Sequence, residues 1–208
     1  MSRQSARLLL APVVLALATV VALPAVSVAT AGSAAAADSV ITVIGGSATT
    51  VSAPGVAGKL LGAGIVPVVL PPGKMSINLS NLTATITLPL TGGSVDLTTF
   101  NGQVSAGGSI VFTKLFPLRI VRLTSIQVDI VNGIVTQSAL TSAGTRISLF
   151  QLSLNGASFG GDATHLTISN LATTITADGA QYLDSALHSH VFTAGMLFGT
   201  ASSTFQHS

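Results

Sequence analysis

The chain has no cysteine, no tryptophan and no glutamate, a single tyrosine, and only 7% charged residues across 208 positions. Each shortage excludes something. Without cysteine there are no disulfides, no thiolate nucleophile and no Cys-ligated zinc. Without glutamate, acid–base chemistry has only six aspartates and four histidines to draw on. A Ser-His-Asp arrangement is then the main catalytic option, and Gly107-Gly108-Ser109 reads as a hairpin instead of a nucleophile turn. The chain is expected not to be an enzyme.

What is present begins with Arg3 and Arg7, followed by the apolar run LLLAPVVLALATVVALPAVSVA and the small-residue tract TAGSAAAADS. That order of charge, apolar run and A-x-A sites matches a secretory signal peptide over residues 1–37, cut after Ala37 or, alternatively, after Ala31. The run is long enough to span a bilayer if retained. Pro12 and Pro24 near its ends, and the A-x-A sites after it, favour cleavage. Residues 38–208 are then expected to form one extracellular or envelope-associated domain, large enough to bury a core without disulfides. Its six Lys and Arg balance its six Asp, so no footprint for nucleic acid is expected. The charges look scattered, with no polybasic cluster for an anionic membrane, and no membrane insertion is expected after cleavage.

The texture beyond the leader is Val, Ile, Leu and Thr interrupted by Gly, Asn and Ser, which favours strands and tight turns. Alternation at Ile77-Leu79, Ile126-Val128-Ile130 and Ile147-Leu149 puts apolar residues on one face, as in antiparallel sheets with one buried side. The expected fold is mainly β, an antiparallel sandwich or partly open barrel of about ten strands. Thr91-Gly92-Gly93, Asn101-Gly102, Ala106-Gly107-Gly108 and Asn132-Gly133 are expected turns. The last should pair Asp129-Ile130-Val131 with Ile134-Val135-Thr136, since Asn-Gly suits a type I′ hairpin.

Two short helices are expected, around 53–62 and 177–188. ATTVSAPG (Ala48–Gly55) aligns without gaps on ATTITADG (Ala172–Gly179), and each reads as a strand running into a helix. Ser52 would cap the first helix, with Pro54 in its first turn. Thr176 would cap the second, with Asp178 at the positive end of its dipole.

The block LPLTGGSVDLTTFNGQVSAGGSIVF, Leu88 to Phe112, carries Pro89, Gly92, Gly93, Asp96, Gly102, Gly107, Gly108 and Phe112, with Asp129 and Gly133 beyond it. In this it resembles the HtaA-type domains of secreted actinobacterial haem-uptake proteins. The resemblance covers the middle half of the domain and implies an extracellular β-rich module, with haem as a conceivable cofactor. The tyrosine that ligates haem in that family sits near the domain's N-terminus among aromatics, and this chain has no tyrosine there.

Candidate ligand residues are therefore Tyr182, His188 and His190. On a helix from Ala177, Leu183 and Leu187 form the buried stripe with Ala180, and Tyr182 and His188 point away from each other. Asp162-x-x-His165 and His188-x-His190 have metal-ligand spacing, but polar residues at element ends explain both, and no metal site is expected. Arg119 and Arg122 would face opposite sides of a strand, a poor joint anion site. The expected function is a binding module for haem or another small apolar ligand. The alternative is a structural or adhesive surface protein without a ligand.

Overall fold

The computed structural model describes residues 40–208; the expected leader and its cleavage sites lie outside the described residues. The elements run β1 (Val40–Ser52), α1 (Val56–Gly62), β2 (Ile65–Leu70), β3 (Lys74–Asn78), β4 (Thr83–Asp96), β5 (Asn101–Ala106), β6 (Ser109–Lys114) and β7 (Arg119–Val131). They continue with β8 (Ile134–Leu140), β9 (Arg146–Ser153), β10 (Ser158–Gly161), β11 (His165–Ile175), α2 (Ala177–Leu187) and β12 (Leu197–His207).

Hydrogen bonding follows the order β7-β5-β4-β1-β12-β11-β9-β8, and β8 pairs back with β7. The eight strands close into an antiparallel barrel, where a sandwich or a partly open barrel was expected. The closing contact is the Asn132-Gly133 hairpin, where Val131 meets Ile134, Ile130 meets Val135 and Asp129 meets Thr136, the register expected from the sequence. Both turn residues have positive φ, 51° and 77°, and the amide carboxamide oxygen of Asn101 accepts from Asn132 N–H at 2.7 Å.

Among the described residues there are twelve strands, because short edge pieces attach outside the ring: β10 on β11, β3 on β4, and β6 with β2 on β7. β2 directly follows α1 in the chain. It pairs with β6 from Ile65–Lys114 to Leu70–Ser109.

Three expected turns prove to be something else. Gly92 and Gly93 lie inside β4, where a register shift between Leu90 and Gly92 marks a bulge. A Cβ on Gly93 would fall 2.2 Å from the carbonyl oxygen of Gln103, so the glycine pair lets two backbones approach instead of reversing the chain. Asn101-Gly102 opens β5, the reversal having occurred over the preceding four residues. Gly107-Gly108 does not make a hairpin either, since β5 and β6 both pair with β7, end to end. It is a kink that carries the chain from the barrel onto the outer sheet.

Of the two caps, one forms. Thr176 Oγ1 accepts from Gly179 N–H at 2.9 Å. α1 starts after Gly55 in a left-handed conformation with no side-chain cap, and Pro54 precedes it. Ser52 is used differently, its hydroxyl accepting from Ala84 N–H in the core. The two similar segments nevertheless end in equivalent places, because the end of β1 and the end of β11 flank β12 on either side.

Inside the barrel the alternating residues Ala84, Ile86, Leu88 and Leu90 of β4 are buried, and Thr85, Thr87 and Pro89 face outward between them. α2 closes one end. Leu183 and Leu187 are fully buried, and a Cβ on Gly179 would lie 2.6 Å from Leu149 carbonyl oxygen, so the helix rests directly on β9. Phe112 meets Phe192 edge-on at 5.9 Å, and Phe150 packs on Phe198 at 4.7 Å. No buried side-chain nitrogen or oxygen among the described residues lacks a partner. Asp38–Ser208 is a compact unit with its own hydrophobic core.

Replacing Gly133 by Ala should cost about 1–2 kcal/mol, the penalty for a left-handed β-carbon in open space. Gly93→Ala adds a collision with the β5 backbone and should cost clearly more. Denaturant midpoints of the two variants check this, and equal losses would mean that β4 and β5 do not approach as described.

Candidate functional site

The ring has two unlike ends. At one, α1 and α2 fill the opening. At the other, β1 begins, β4, β7 and β12 end, and β8 and β11 begin, so the interior stripe of each strand finishes there without a plug. Ile41, Val95, Ile130, Val135, Leu166 and Phe205 come from those six strands, and Phe100 and Phe159 reach over from neighbouring segments. Together with Leu97, Leu154, Ile168 and Leu171 they enclose about 110 Å³, and every lining side chain is hydrophobic.

Leu97, Phe100 and Phe159 are 43%, 51% and 59% exposed, which leaves a ring of apolar side chains in water around an apolar hollow. Such a surface is costly to maintain in the absence of something that covers it.

Outside the hollow lies a shallower depression of about 490 Å³ that shares Ile41, Leu97, Phe159 and Leu166 with it and adds Asp162, His165 and His207. Asp162 organises this rim. Its Oδ1 accepts from the N–H groups of Thr164 and His165 at 2.8 and 2.9 Å and from the Thr164 hydroxyl at 2.9 Å. These bonds, the Thr164 N–H first, then its hydroxyl and the His165 ring, bring the carboxyl down from 3.8 to about 2.

Since the Thr164 proton is directed to Asp162, the contacts of His165 Nδ1 with Thr164 Oγ1 at 2.9 Å and Asp162 Oδ1 at 3.2 Å require Nδ1 to donate. The lone pair is then on Nε2, the tautomer that a carboxylate imposes on a metal-ligating histidine. Lone pair and walls thus suit a ligand with an apolar body and a group that takes imidazole coordination or donates a hydrogen bond to Nε2.

The residues singled out in the sequence lie elsewhere. His188 and His190 share an open depression with Gln181, Asp184, Ser185 and Ser189 at the end of α2. They are not on a strand: His188 is the left-handed C-cap of α2, φ 51°, and His190 follows it in a loop. Tyr182 does not line that depression and packs half-buried against the core. Among the described residues, no group of three His, Cys, Asp or Glu is placed to hold a metal ion.

A G-x-S-x-G pattern at Gly156-Ala157-Ser158-Phe159-Gly160 is also present. Ser158 opens the edge strand β10 opposite Ser169, with no helix following, and its hydroxyl meets the Asn170 amide. This is not a nucleophile elbow.

The fold and this site define a closed antiparallel barrel plugged at one end and open, with an apolar mouth, at the other. In fold the chain is similar to the C-terminal domain of HtaA from Corynebacterium glutamicum, with a TM-score of 0.57 at 16% identity, covering 81% of this chain and 99% of that one. A domain-swapped dimeric variant of the same domain matches with a TM-score of 0.50 at 15% identity, covering 73% of this chain and 89% of the other. No protein-family model and no curated protein matches the chain.

The resemblance read from Leu88 to Phe112 is therefore borne out as a distant one, in fold. Its residues are structural: Gly93 and Gly102 allow close strands, Phe112 fills the core, and Asp96 accepts from Thr98 and Thr99 in the turn after β4. Sequence reasoning missed the mouth because each wall residue is one apolar position at a strand end. The usable signal was Leu97, Phe100 and Phe159, large apolar residues among turn-forming neighbours.

The folded carboxyl of Asp162 titrates below its unfolded value, so its hold on the 162–165 turn is complete above 3.8 and is lost as pH falls through about 2. A carbon-detected NMR titration should place the Asp162 midpoint near 2. A midpoint at the ordinary carboxyl value would show that the turn does not hold His165 in the orientation described.

Proposed function

We propose that this chain is an exported, envelope-associated binding module, without catalytic activity, that takes a small apolar ligand into the open mouth of its barrel. The observation that carries this reading is the hollow lined by twelve hydrophobic side chains. Ligand sites are concave and mostly apolar, with a few convergent polar groups to set orientation, and here His165 and His207 stand at the rim. The hollow, at about 110 Å³, suits a ring or the end of an alkyl chain, with the rest of the ligand lying in the outer depression.

Haem is one ligand of this kind, suggested by the HtaA likeness. In the mouth, apolar walls would meet the porphyrin faces, and His165 or His207 would supply the iron ligand, His165 through the Nε2 left free by its bond to Asp162. The haem itself would contribute iron coordination and a Soret signature. Tyr182, His188 and His190 offer donors without an apolar cleft, which makes them the second place to look. A structural or adhesive role leaves the unplugged mouth without an explanation.

Titration with the neutral fluorophore N-phenyl-1-naphthylamine should give saturable, blue-shifted emission that Phe159→Asp reduces at least tenfold. Phe159 is an exposed rim residue, so the variant should melt like the parent; retained binding in a folded variant would remove the mouth as the site. In a parallel haem titration, loss of the Soret shift in His165→Ala or His207→Ala, with Tyr182→Ala and His188→Ala unaffected, supports haem in the mouth. The reverse pattern assigns haem to the end of α2.

A further inference from the structure

The β6–β7 hairpin carries a second unusual surface at the opposite end of the barrel. Its tip reads Leu115-Phe116-Pro117-Leu118, and the exposures of Leu115, Phe116, Leu118 and Ile120 are 47%, 87%, 67% and 65%. Single exposed apolar residues are ordinary on soluble proteins, whereas four within six positions on one projecting turn are not. The tip is held out by a regular ladder, with Lys114 opposite Arg119 and Thr113 opposite Ile120. Gly64 carbonyl oxygen accepts from Leu115 N–H at its base.

The charges around this tip have one sign. Lys114, Arg119 and Arg122 flank it, and no acidic residue occurs between Asp96 and Asp129. Arg119 and Arg122 do alternate along β7 as the sequence suggested, and both are exposed: Arg119 lies outside Val121, the first buried position of the strand, and Arg122 is on the face opposite Val121 and Leu123.

α2, which lies against β7, brings Asp178 and Asp184. Asp178 is in its first turn. The Asp184 carboxylate accepts from Ser189 Oγ and Val191 N–H. Lys114 donates to the His188 carbonyl. Among the described residues, neither arginine is paired with the carboxylates of Asp178 or Asp184.

We propose that this hairpin is a docking finger for an anionic phospholipid bilayer. Phe116 and Leu118 enter the boundary between headgroups and acyl chains, as apolar faces of interfacial segments do. Arg119 and Arg122 lay their stems along that boundary and place their guanidinium groups on lipid phosphates, with Lys114 behind them. The exposed apolar tip selects a medium it can enter, and the unneutralised collar selects the sign of its surface. Docking at this end leaves the mouth facing away from the membrane, so the inference does not depend on the ligand reading.

Flotation of the 38–208 unit with vesicles tests this, since the apolar run at residues 8–29 would partition by itself. The unit should float with mixed phosphatidylcholine–phosphatidylglycerol vesicles and not with phosphatidylcholine alone, and added salt should release it. Arg119→Gln and Arg122→Gln should each weaken partitioning roughly fivefold, and the double variant Phe116→Asp, Leu118→Asp should abolish it with an unchanged melting temperature. In a chain without tryptophan, Phe116→Trp should report entry directly, by a blue shift that appears only with the mixed vesicles. Absence of flotation, equal flotation on both vesicle types, or insensitivity to the tip variants overturns the proposal. So does a concentration-dependent dimer that Phe116→Asp dissociates in the absence of any vesicle binding, because the tip would then be occupied by a second copy.

Discussion

The pairing of β7 with β8 across Asn132-Gly133 is the contact on which the architecture depends. β7 is bonded along one side by β5 and then β6, and on the other by β8. With the β7–β8 bonds the eight strands form a ring with no free edge; without them the same strands would be an open sheet with exposed edges at β7 and β8. Ile130 and Val135, neighbours across that hairpin, are also two walls of the mouth. The turn that closes the barrel therefore also completes the candidate site.

The ends of the barrel differ because only one receives the helices. The strands β1 and β11 both run beside β12 and deliver α1 and α2 to the same end, where Leu60, Leu183 and Leu187 complete the core. The absence of a β-carbon at Gly179 lets α2 lie on the backbone of β9. At the far end the interior stripes meet water, and the polar groups that could finish them, His165 and His207, stand at the rim. Apolar depth with polar groups at the edge is the feature on which the proposed ligand reading rests.

Part of this was legible in the sequence because it is locally encoded. The β texture, the Asn132-Gly133 register, the Thr176 cap and the Ala180-Leu183-Leu187 stripe each depend on residues within a few positions of one another, and each was found where expected. Glycine pairs were misread because a glycine serves equally for a turn, a bulge or a close approach. Gly92-Gly93 and Gly107-Gly108 differ only in which strands lie beside them. The preference for Tyr182, His188 and His190 followed rarity in composition, whereas the candidate mouth is built from the commonest apolar residues.

By itself the sequence determined the class of the fold, the distant HtaA-like likeness, the position of α2 and the poverty of catalytic groups, since composition, period and turn chemistry act over short stretches of chain. Only the tertiary structure decided that the strands close, that one end stays open, and that His165 and His207 line the depression outside the apolar hollow. It also decided that Arg119 and Arg122, on opposite faces of β7, are both exposed beside an apolar tip. These features join segments far apart in the chain, and whether a strand-end residue faces a partner or water is set by what the remaining strands place beside it.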